Sequence, residues 1–261
     1  MKPGSTVRLD AWDPRSTEGG PGDRAATEAA TAELYADMDV LQERLYAEGE
    51  QSLLIVLQAL DAGGKDGTIK HIFRGFNPAG SSVASFKVPS EEELAHDFLW
   101  RVHARTPGKG EVAVFNRSHY EDVLVVRVHN LVPEDVWRPR YELINDFERN
   151  LAAAGTRIVK LFLHISKEEQ AERFQDRLDD ATKRWKFRKG DLKERERWGD
   201  YIAAFEEALS RTSTSDAPWY VVPADRKWFR NWAVSRILIE TLQDMDPQYP
   251  RGEDLTGVVV T

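Results

Sequence analysis

Five short apolar segments alternate with segments of helical periodicity, and this order restricts the class of fold that the chain can adopt. The apolar segments cover 53–60, 82–88, 111–116, 157–165 and 219–224. The helical patterns cover 26–48, 67–75, 90–104, 134–153, 167–188, 192–211 and 226–244. Strands that alternate with helices form a parallel sheet, because each crossover helix packs on a face of that sheet. The pattern therefore predicts an α/β fold with a parallel sheet covered on both faces.

The same order predicts a single domain. A chain of 261 residues has the length of one large α/β domain, and no linker divides it. Residues 1–25 are rich in Gly, Pro, Ser and charged residues, which predicts a disordered or loosely packed arm. We expect the domain at 26–250 and a tail at 251–261.

Composition excludes several classes of function. The chain has no cysteine, so disulfides, thiolate metal sites and cysteine nucleophiles are excluded. It lacks a basic-then-apolar leader and any apolar run of membrane-spanning length, so we expect a cytoplasmic protein without a membrane partner. Its formal net charge of -8 argues against general binding to nucleic acid.

A glycine-rich stretch follows the first apolar segment, in the order strand, loop, helix. It reads Q-A-L-D-A-G-G-K-D-G-T over 58–68. Gly63, Gly64 and Gly67 allow backbone N–H groups to approach an anion, and the next helix directs its positive end there. Lys65 is expected to reach terminal phosphate oxygens. The stretch predicts a phosphate-binding loop, and the alternative is a glycine-rich turn without a ligand.

The loop departs from the pattern G-x-x-x-x-G-K-[ST] at two positions. Ala59 occupies the place of the first glycine, and Asp66 stands where the hydroxyl residue belongs. Thr68 follows two residues too late to replace that hydroxyl directly. Carboxylates are hard oxygen ligands that suit Mg²⁺. We therefore expect Asp61 to supply the main metal contact, with Asp66 as the second candidate ligand.

A second polar stretch, N-R-S-H-Y-E-D at 116–122, follows the third apolar segment. Ligands of open parallel sheets bind beyond the carboxyl ends of the strands, so Asn116 and Arg117 should face the phosphate loop. Arg117 is suited to neutralise charge on a transferring phosphoryl group. Glu121 and Asp122 would add negative charge one turn later. The alternative is a solvated connection between two elements.

A basic segment, K-R-W-K-F-R-K at 183–189, stands out in an acidic protein. Upstream of it, Arg173 and Arg177 are four residues apart and share a face of a predicted helix. These features predict a basic lid at about 172–197 that closes over phosphates and excludes water. Trp185 would stack on a base or pack inside the lid. The alternative is a solvated helix face.

Three motifs in this order resemble the family-2 polyphosphate kinases. They are the loop stretch at 57–80, the strand-end stretch at 115–132 and the lid stretch at 176–198. The resemblance runs from about residue 30 to residue 246 and implies a three-layer α/β/α sandwich, P-loop kinase-like and close to thymidylate kinase, with a five-stranded parallel sheet. It also implies Mg²⁺ as the cofactor, with Mn²⁺ as a substitute.

The resemblance implies roles for individual residues. Catalytic roles fall on Asp61, Lys65 and Arg117. Phosphate or polyphosphate binding falls on Gly63, Gly64, Gly67, Thr68, Lys70, Arg74, Lys87, Arg173, Arg177, Lys183 and Lys186. Nucleotide contacts fall on Asn116, Glu121, Asp122 and Trp185. Many members of the family have Asp at the position of Asn116.

The implied reaction is phosphoryl transfer between inorganic polyphosphate and nucleotides. The strand-end motif is similar to a subgroup that converts both AMP and ADP, and guanine nucleotides are further expected substrates. Two alternatives stay open: an ATP-dependent nucleoside monophosphate kinase of the same fold, and a polyphosphate- or nucleotide-binding protein without catalysis. The long amino-terminal helix and the aromatic residues favour a homo-oligomer, either a dimer or a tetramer.

Overall fold

The computed structural model describes residues 1–254, 256 and 258–260, and it contains one five-stranded sheet. The strands are β1 (Ser52–Gln58), β2 (Ser81–Ser85), β3 (Val112–Asn116), β4 (Thr156–His164) and β5 (Trp219–Pro223). All neighbouring strands pair in parallel, in the order β2-β3-β1-β4-β5. The predicted α/β class and all five predicted strands are therefore confirmed.

Eleven α-helices connect and cover the strands in the described part of the chain. They are α1 (Arg24–Glu48), α2 (Lys65–Ile72), α3 (Glu91–Leu94), α4 (Trp100–His103), α5 (Val125–Val128), α6 (Glu134–Trp137), α7 (Arg140–Ala153), α8 (Lys167–Asp179), α9 (Gly190–Glu196), α10 (Trp198–Thr212) and α11 (Lys227–Met245). The helix predicted at 90–104 forms two short helices instead of one. Asp97 separates them, because its carboxylate accepts a hydrogen bond from the Leu99 N–H (2.9 Å) and starts a new turn.

Strand β1 is buried on both faces along its whole length. Leu54 and Val56 belong to a core formed with α7 and α10, whereas Leu53, Ile55 and Leu57 belong to a core formed with α1, α2 and α11. Successive side chains of a strand point to opposite faces, so this apolar run requires a helical layer on each side. The carboxyl end of β1 consequently lies in the middle of the sheet, where the glycine-rich loop begins.

The amino-terminal segment, which we expected to be disordered or loosely packed, lies against the domain. Val7 and Leu9 are buried in the core that includes α10. The Val7 N–H donates to Ser210 Oγ (2.8 Å), and the Leu9 N–H donates to Glu206 Oε1 (2.7 Å). The Gly- and Ser-rich composition predicts a loose segment, but composition does not report individual contacts. Two buried apolar side chains and two hydrogen bonds from backbone N–H groups hold this segment against the domain.

The carboxyl-terminal segment forms no helix or strand at 251–254, 256 and 258–260. Positions 255, 257 and 261 of the predicted tail lie outside the described residues. Within the described residues, no helix combines the length and the apolar character that crossing a membrane requires.

Helix α2, which follows the glycine-rich loop, is tied to both neighbouring helices by His71. The imidazole Nδ1 lies 2.7 Å from the Tyr35 hydroxyl in α1, and Nε2 lies 2.9 Å from the Ser235 hydroxyl in α11. Burial, together with the nearby charge of Arg230, lowers the pKa of His71 to about 4. The neutral imidazole thus fixes the helix whose first turn faces the loop.

Replacing His71 with Gln is expected to weaken the dependence of stability on pH. The unfolded histidine takes up a proton near pH 6.5, whereas the folded one does so only at about pH 4. As the pH falls from 6.5 to about 4, this difference in the pKa of His71 therefore lowers the free energy of unfolding by about 3 kcal/mol. Urea unfolding at neutral and acidic pH measures the loss, with the exposed His96→Gln as control. An unchanged pH dependence in His71→Gln would contradict the assignment.

Candidate functional site

Two loops meet at the carboxyl edge of the sheet, one after β1 and one after β3. The two strands are neighbours, and Leu57 pairs with Asn116 in their register. The Arg117 N–H donates to the Leu57 carbonyl oxygen (3.1 Å), so the second loop starts directly beside the first. The topology thus brings the two polar stretches of the sequence together at one edge, as expected for a doubly covered parallel sheet.

The backbone is strained at two positions of this edge. Ala62 has φ 59° and Arg117 has φ 63°, values that side-chain-bearing residues rarely adopt. Each such residue costs about 1–3 kcal/mol and persists only where surrounding contacts hold it. Gln170 of α8 supplies one of these contacts, because its amide donates to the Asp61 carbonyl oxygen (2.8 Å).

Arg173 of α8 supplies the other contacts that hold the loop. Its guanidinium donates to the carbonyl oxygens of Ala62 (2.9 Å) and Ala224 (2.5 Å), which joins the loop to the end of β5. Its Nε donates to Glu169 (2.7 Å), and the side chain is buried. We expected Arg173 to bind phosphate from a lid. The structure instead places it inside the domain, since its donors are used by loop and strand carbonyls.

The two adjacent glycines of the loop are required for close packing. A Cβ on Gly63 would lie 2.4 Å from the Ala59 Cβ, and one on Gly64 would lie 2.4 Å from Nη1 of Arg230. Gly64 also has φ 101°, a conformation that favours glycine. Ala59, at the place where the common pattern has its first glycine, packs directly under Gly63.

Two cations, Lys65 and Arg117, and two carboxylates, Asp61 and Glu121, lie close together beside the glycine-rich loop. Arg117 Nη2 lies 3.2 Å from Asp61 Oδ1, and its Nη1 lies 3.9 Å from Glu121 Oε2. Lys65 Nζ donates to the Ala59 carbonyl oxygen (2.8 Å). Burial lowers the pKa of Lys65, and the positive charge of Arg117 adds to this effect. The two cations are thus positioned to neutralise an anion above the loop.

The carboxylates fit a magnesium ion whose remaining ligands come from phosphate and water. The described residues contain no group of three or more His, Cys, Asp or Glu that would form a metal cage. Mg²⁺ in phosphate-transfer sites commonly binds one or two carboxylates and completes its shell with phosphate oxygens and water. Asp61 is partly exposed at the loop, and Asp66 Oδ1 accepts a hydrogen bond from Asn116 Nδ2 (3.0 Å). Asp66 is the more exposed of the two, whereas Asp61 lies half-buried beside Arg117 and lines the cavity described below.

A buried ionic network fixes the short helical turn that carries Glu121. Lys160 Nζ lies 2.5 Å from Glu148 Oε2 and donates to the Tyr120 hydroxyl (2.8 Å), while the Tyr120 hydroxyl donates to Glu148 Oε1 (2.8 Å). The charge of Lys160 keeps the pKa of Glu148 below its usual range despite burial. Burial raises the pKa of Glu121 itself, and the charge of Arg117 opposes the rise.

A cavity of about 180 Å³ lies between the loop and the helices α5, α9 and α10. Its apolar lining consists of Ala59, Leu60, Leu124, Val125, Trp198 and Phe205. Its polar lining consists of Asp61, Arg117, Glu121, His129, Gln170, Glu194, Arg195 and Tyr201. A cavity that combines apolar side chains with converging polar groups is typical of a small-molecule site.

Comparison with known proteins identifies the family. The family model described as "Polyphosphate kinase 2 (PPK2)" matches residues 22–250. The chain belongs to the polyphosphate kinase 2 family.

Relatives and solved structures agree with this family membership. The "AMP/ADP-polyphosphate phosphotransferase" of Meiothermus ruber is 55% identical over 260 residues, which are 100% of this chain and 97% of the relative. The "ADP-polyphosphate phosphotransferase" of Rhodopseudomonas palustris is 48% identical over 80% of this chain and 77% of the relative. The crystal structure of polyphosphate kinase 2 from Arthrobacter aurescens superposes with a TM-score of 0.93 at 44% identity, covering 95% of this chain and 89% of that one.

In this polyphosphate kinase 2 protein, α9 closes one side of the cavity. Glu194 Oε2 lies 2.9 Å from His129 Nε2 and accepts a hydrogen bond from the Tyr201 hydroxyl (2.8 Å). Arg195 donates to Gln170 Oε1 (3.1 Å). The carboxyl-terminal part of the predicted lid is therefore fastened to the domain on both sides of the cavity.

The basic part of the predicted lid faces solvent. Trp185 is 76% exposed, so it does not pack inside the hairpin, and Lys186 Nζ lies 5.1 Å from its ring. Lys183 pairs with Asp180 (2.6 Å), and Arg177 donates to the Lys186 carbonyl oxygen (3.3 Å). The described contacts do not bring these residues to the loop, and their role in binding phosphate stays a prediction.

Thr68 and Asp122, which we predicted to contact phosphate and nucleotide, have other partners in the structure. The Thr68 hydroxyl is buried and donates to the Gly64 carbonyl oxygen (3.1 Å), so it supports the helix start instead of facing a phosphate. Asp122 pairs with Arg140 (3.0 Å) and does not line the cavity. Burial raises the pKa of Asp122 to about 6, against the opposing charge of Arg140.

Lys70, Arg74 and Lys87 are exposed, as a surface track for polyphosphate would require. Their part in such a track stays a prediction. The residues that we did not predict are Gln170, Tyr201 and Arg230, which contact or line the site from α8, α10 and α11. The start of α11 follows a strand end, and this position could have drawn attention to Arg230.

Replacing Gly64 with Ala is expected to lower the free energy of unfolding by about 1–3 kcal/mol, because the new residue would need a left-handed φ. Its Cβ would also meet Arg230 Nη1 at 2.4 Å. Gly190→Ala is the matched control, since a Cβ there meets nothing within 4 Å. Thermal and urea unfolding measure both variants, and equal stability of the two would contradict this account of the loop.

Proposed function

We propose that this protein transfers the terminal phosphoryl group of inorganic polyphosphate to AMP and to ADP, with formation of ADP and ATP. The observation that carries the proposal is the meeting of Lys65, Arg117 and Asp61 at the strained glycine-rich loop. The similarity over the full chain to the AMP/ADP-polyphosphate phosphotransferase of Meiothermus ruber supports the choice of donor and of both acceptors.

The acceptor nucleotide occupies the cavity beside the loop. The apolar wall formed by Leu124, Val125 and Phe205 is suited to a nucleoside, whose faces are largely apolar. The polar end with Arg117 is suited to its phosphates. This placement points the terminal phosphate of the nucleotide at the loop, where Lys65 lies.

The chemistry requires positioning and charge stabilisation more than covalent help from the protein. A phosphate oxygen of the acceptor forms a new P–O bond with the terminal phosphorus of the chain, while the P–O bond to the rest of the chain breaks. The polyphosphate becomes one phosphate shorter. The attacking oxygen is already ionised near neutral pH, so no strong general base is needed. Lys65 and Arg117 bind the oxygens whose charge changes during transfer.

Asp61 is the proposed Mg²⁺ ligand, and Asp66 is the second candidate. Bound Mg²⁺ would neutralise phosphate charge and orient the phosphates. Asp61 also pairs with Arg117, since its Oδ1 lies 3.2 Å from Arg117 Nη2. A cation bound by Asp61 would leave the Arg117 guanidinium available to phosphate.

The reaction is tested by incubating the protein with Mg²⁺, polyphosphate and either AMP or ADP, and by measuring the nucleotide products. ADP and ATP are expected from AMP, and ATP is expected from ADP. A parallel reaction with ATP and AMP, without polyphosphate, tests the monophosphate-kinase alternative. Turnover only in that reaction would overturn the proposal, and binding of polyphosphate without any turnover would favour the non-catalytic alternative. Guanine nucleotides in the same assay test the wider acceptor range.

Lys65→Ala and Asp61→Asn are expected to impair phosphoryl transfer in different ways. Lys65→Ala should lower kcat at least about a hundredfold, the usual cost of one charge-stabilising group. Asp61→Asn should in addition require a higher Mg²⁺ concentration for half-maximal rate, because a neutral amide binds the cation less well. The exposed Lys109→Ala and Asp37→Asn are matched controls. An unchanged Mg²⁺ requirement in Asp61→Asn would show that Asp61 does not bind the metal.

A further inference from the structure

The amino-terminal segment runs past the carboxyl ends of β4 and β5, which lie at the same edge of the sheet as the glycine-rich loop. The Trp12 carbonyl oxygen lies 3.1 Å from Nε2 of His164, the last residue of β4. The Pro14 carbonyl oxygen accepts a hydrogen bond from the Asp225 N–H (3.1 Å), two residues after β5. These two contacts place residues 12–15 beside the edge that carries the site, although they precede the part of the chain that the family model matches.

Asp225 is a buried carboxylate that joins this segment to helix α8. Its side chain is only 3% exposed, and the one cation that pairs with it among the described residues is Arg15, whose Nε lies 3.2 Å from Oδ2. The Ser166 N–H donates to Oδ1 (2.8 Å), and the Ser166 hydroxyl donates to Oδ2 (2.7 Å). The same hydroxyl accepts a hydrogen bond from the Glu169 N–H (3.0 Å) and so caps the start of α8. The carboxylate thus fixes the first turn of this helix.

Helix α8 connects that first turn to the glycine-rich loop. Gln170 and Arg173, one and two turns after the cap, donate to the carbonyl oxygens of Asp61 (2.8 Å) and Ala62 (2.9 Å). Arg173 also donates to the Asp225 carbonyl oxygen (3.3 Å). Because Ala62 has a strained φ of 59°, its conformation persists only while such contacts hold it. A continuous series of hydrogen bonds therefore links residues 14–15 to the loop through a single helix.

We propose that Arg15 and Asp225 are positioning residues for the reaction, which act through α8 to hold Asp61 and the loop in the geometry that phosphoryl transfer requires. The inference rests on the proposed function and adds the amino-terminal segment to the support of the site. Neither residue lines the nucleotide cavity. Loss of Arg15 leaves the buried carboxylate without its cation, and a buried charge without a partner is costly. Since Ser166 contacts both carboxylate oxygens, a shift of the carboxylate displaces the start of α8 as well.

Arg15→Gln tests the proposal, with Arg8→Gln as the control in the same segment. The Arg8 side chain is exposed and pairs with the equally exposed Asp10. Arg15→Gln should lower kcat about twofold to fivefold, because an ion pair with one exposed partner contributes little by itself. Asp225→Asn should lower kcat about tenfold, a common effect of changing a residue that supports a metal-binding group. Arg8→Gln should keep the kcat of wild type.

The Mg²⁺ requirement separates positioning from general support of the fold. A displaced Asp61 binds the cation less well, so Arg15→Gln and Asp225→Asn should both need a higher Mg²⁺ concentration for half-maximal rate. A variant that is only less stable keeps the wild-type requirement when it is assayed well below its Tm. A lower Tm with unchanged kcat and unchanged Mg²⁺ requirement would overturn the proposal. Arg15→Gln keeps this test valid if Asp225→Asn does not fold, since the Arg15 side chain is more than half exposed.

The double variant Arg15→Gln, Asp225→Asn tests whether the two residues act through one contact. Its kcat should equal that of Asp225→Asn alone, because that substitution already removes the ion pair. A kcat lowered by the product of the two single effects would show that Arg15 does not act through Asp225, and would overturn this part of the proposal.

Hydrogen exchange supplies a readout that does not depend on turnover. Peptides that cover the loop at 59–68 and the first turn of α8 should exchange faster in Arg15→Gln than in wild type and in Arg8→Gln, whereas β1 should stay equally protected. If wild type uses polyphosphate but Arg15→Gln matches Arg8→Gln in kcat, Mg²⁺ requirement and exchange, this inference fails and the proposed function stands. If wild type does not use polyphosphate, the proposed function fails, and the role of the two residues in that reaction fails with it, whatever the exchange of the loop.

Discussion

The burial of β1 on both faces is the constraint on which the rest of the structure depends. Its apolar side chains divide between two cores, so one helical layer must lie on each side of the sheet. Pairing with β3 and β4 then places the end of β1 in the middle of the carboxyl edge. Every group that we assign to phosphate chemistry reaches this edge from a neighbouring strand end or from a helix that follows one.

Three features of this carboxyl edge lower the stability of the fold. Ala62 and Arg117 have left-handed backbone conformations, and Arg230 is buried without a carboxylate partner among the described residues. The hydrogen bonds that Arg173 and Gln170 of α8 donate to loop carbonyl oxygens offset part of the strain. A phosphate anion bound at the loop, as the proposed function requires, would offset the remaining positive charge and would thereby also stabilise the fold.

The helical layer that contains α5 and α10 forms a cavity beside the loop, and this cavity combines apolar side chains with charged ones. In the proposed function this cavity receives the acceptor nucleotide, and its phosphates meet Lys65 and Arg117. These two cations follow two neighbouring strands, so the order of the strands brings them to the same edge as the cavity.

The sequence by itself determined the fold class, the five strands, the glycine-rich loop and its meeting with Asn116 and Arg117. Hydrophobic periodicity and strand order carry that information, because they report which faces are buried and which edge collects the loops. Only the tertiary structure decided that Arg173 braces the loop, that the Thr68 hydroxyl is internal and that Asp122 pairs with Arg140. It also brought Arg230 to Gly64, 166 positions away in the chain. Periodicity does not encode such contacts, since the partner of a buried polar group depends on how distant elements pack.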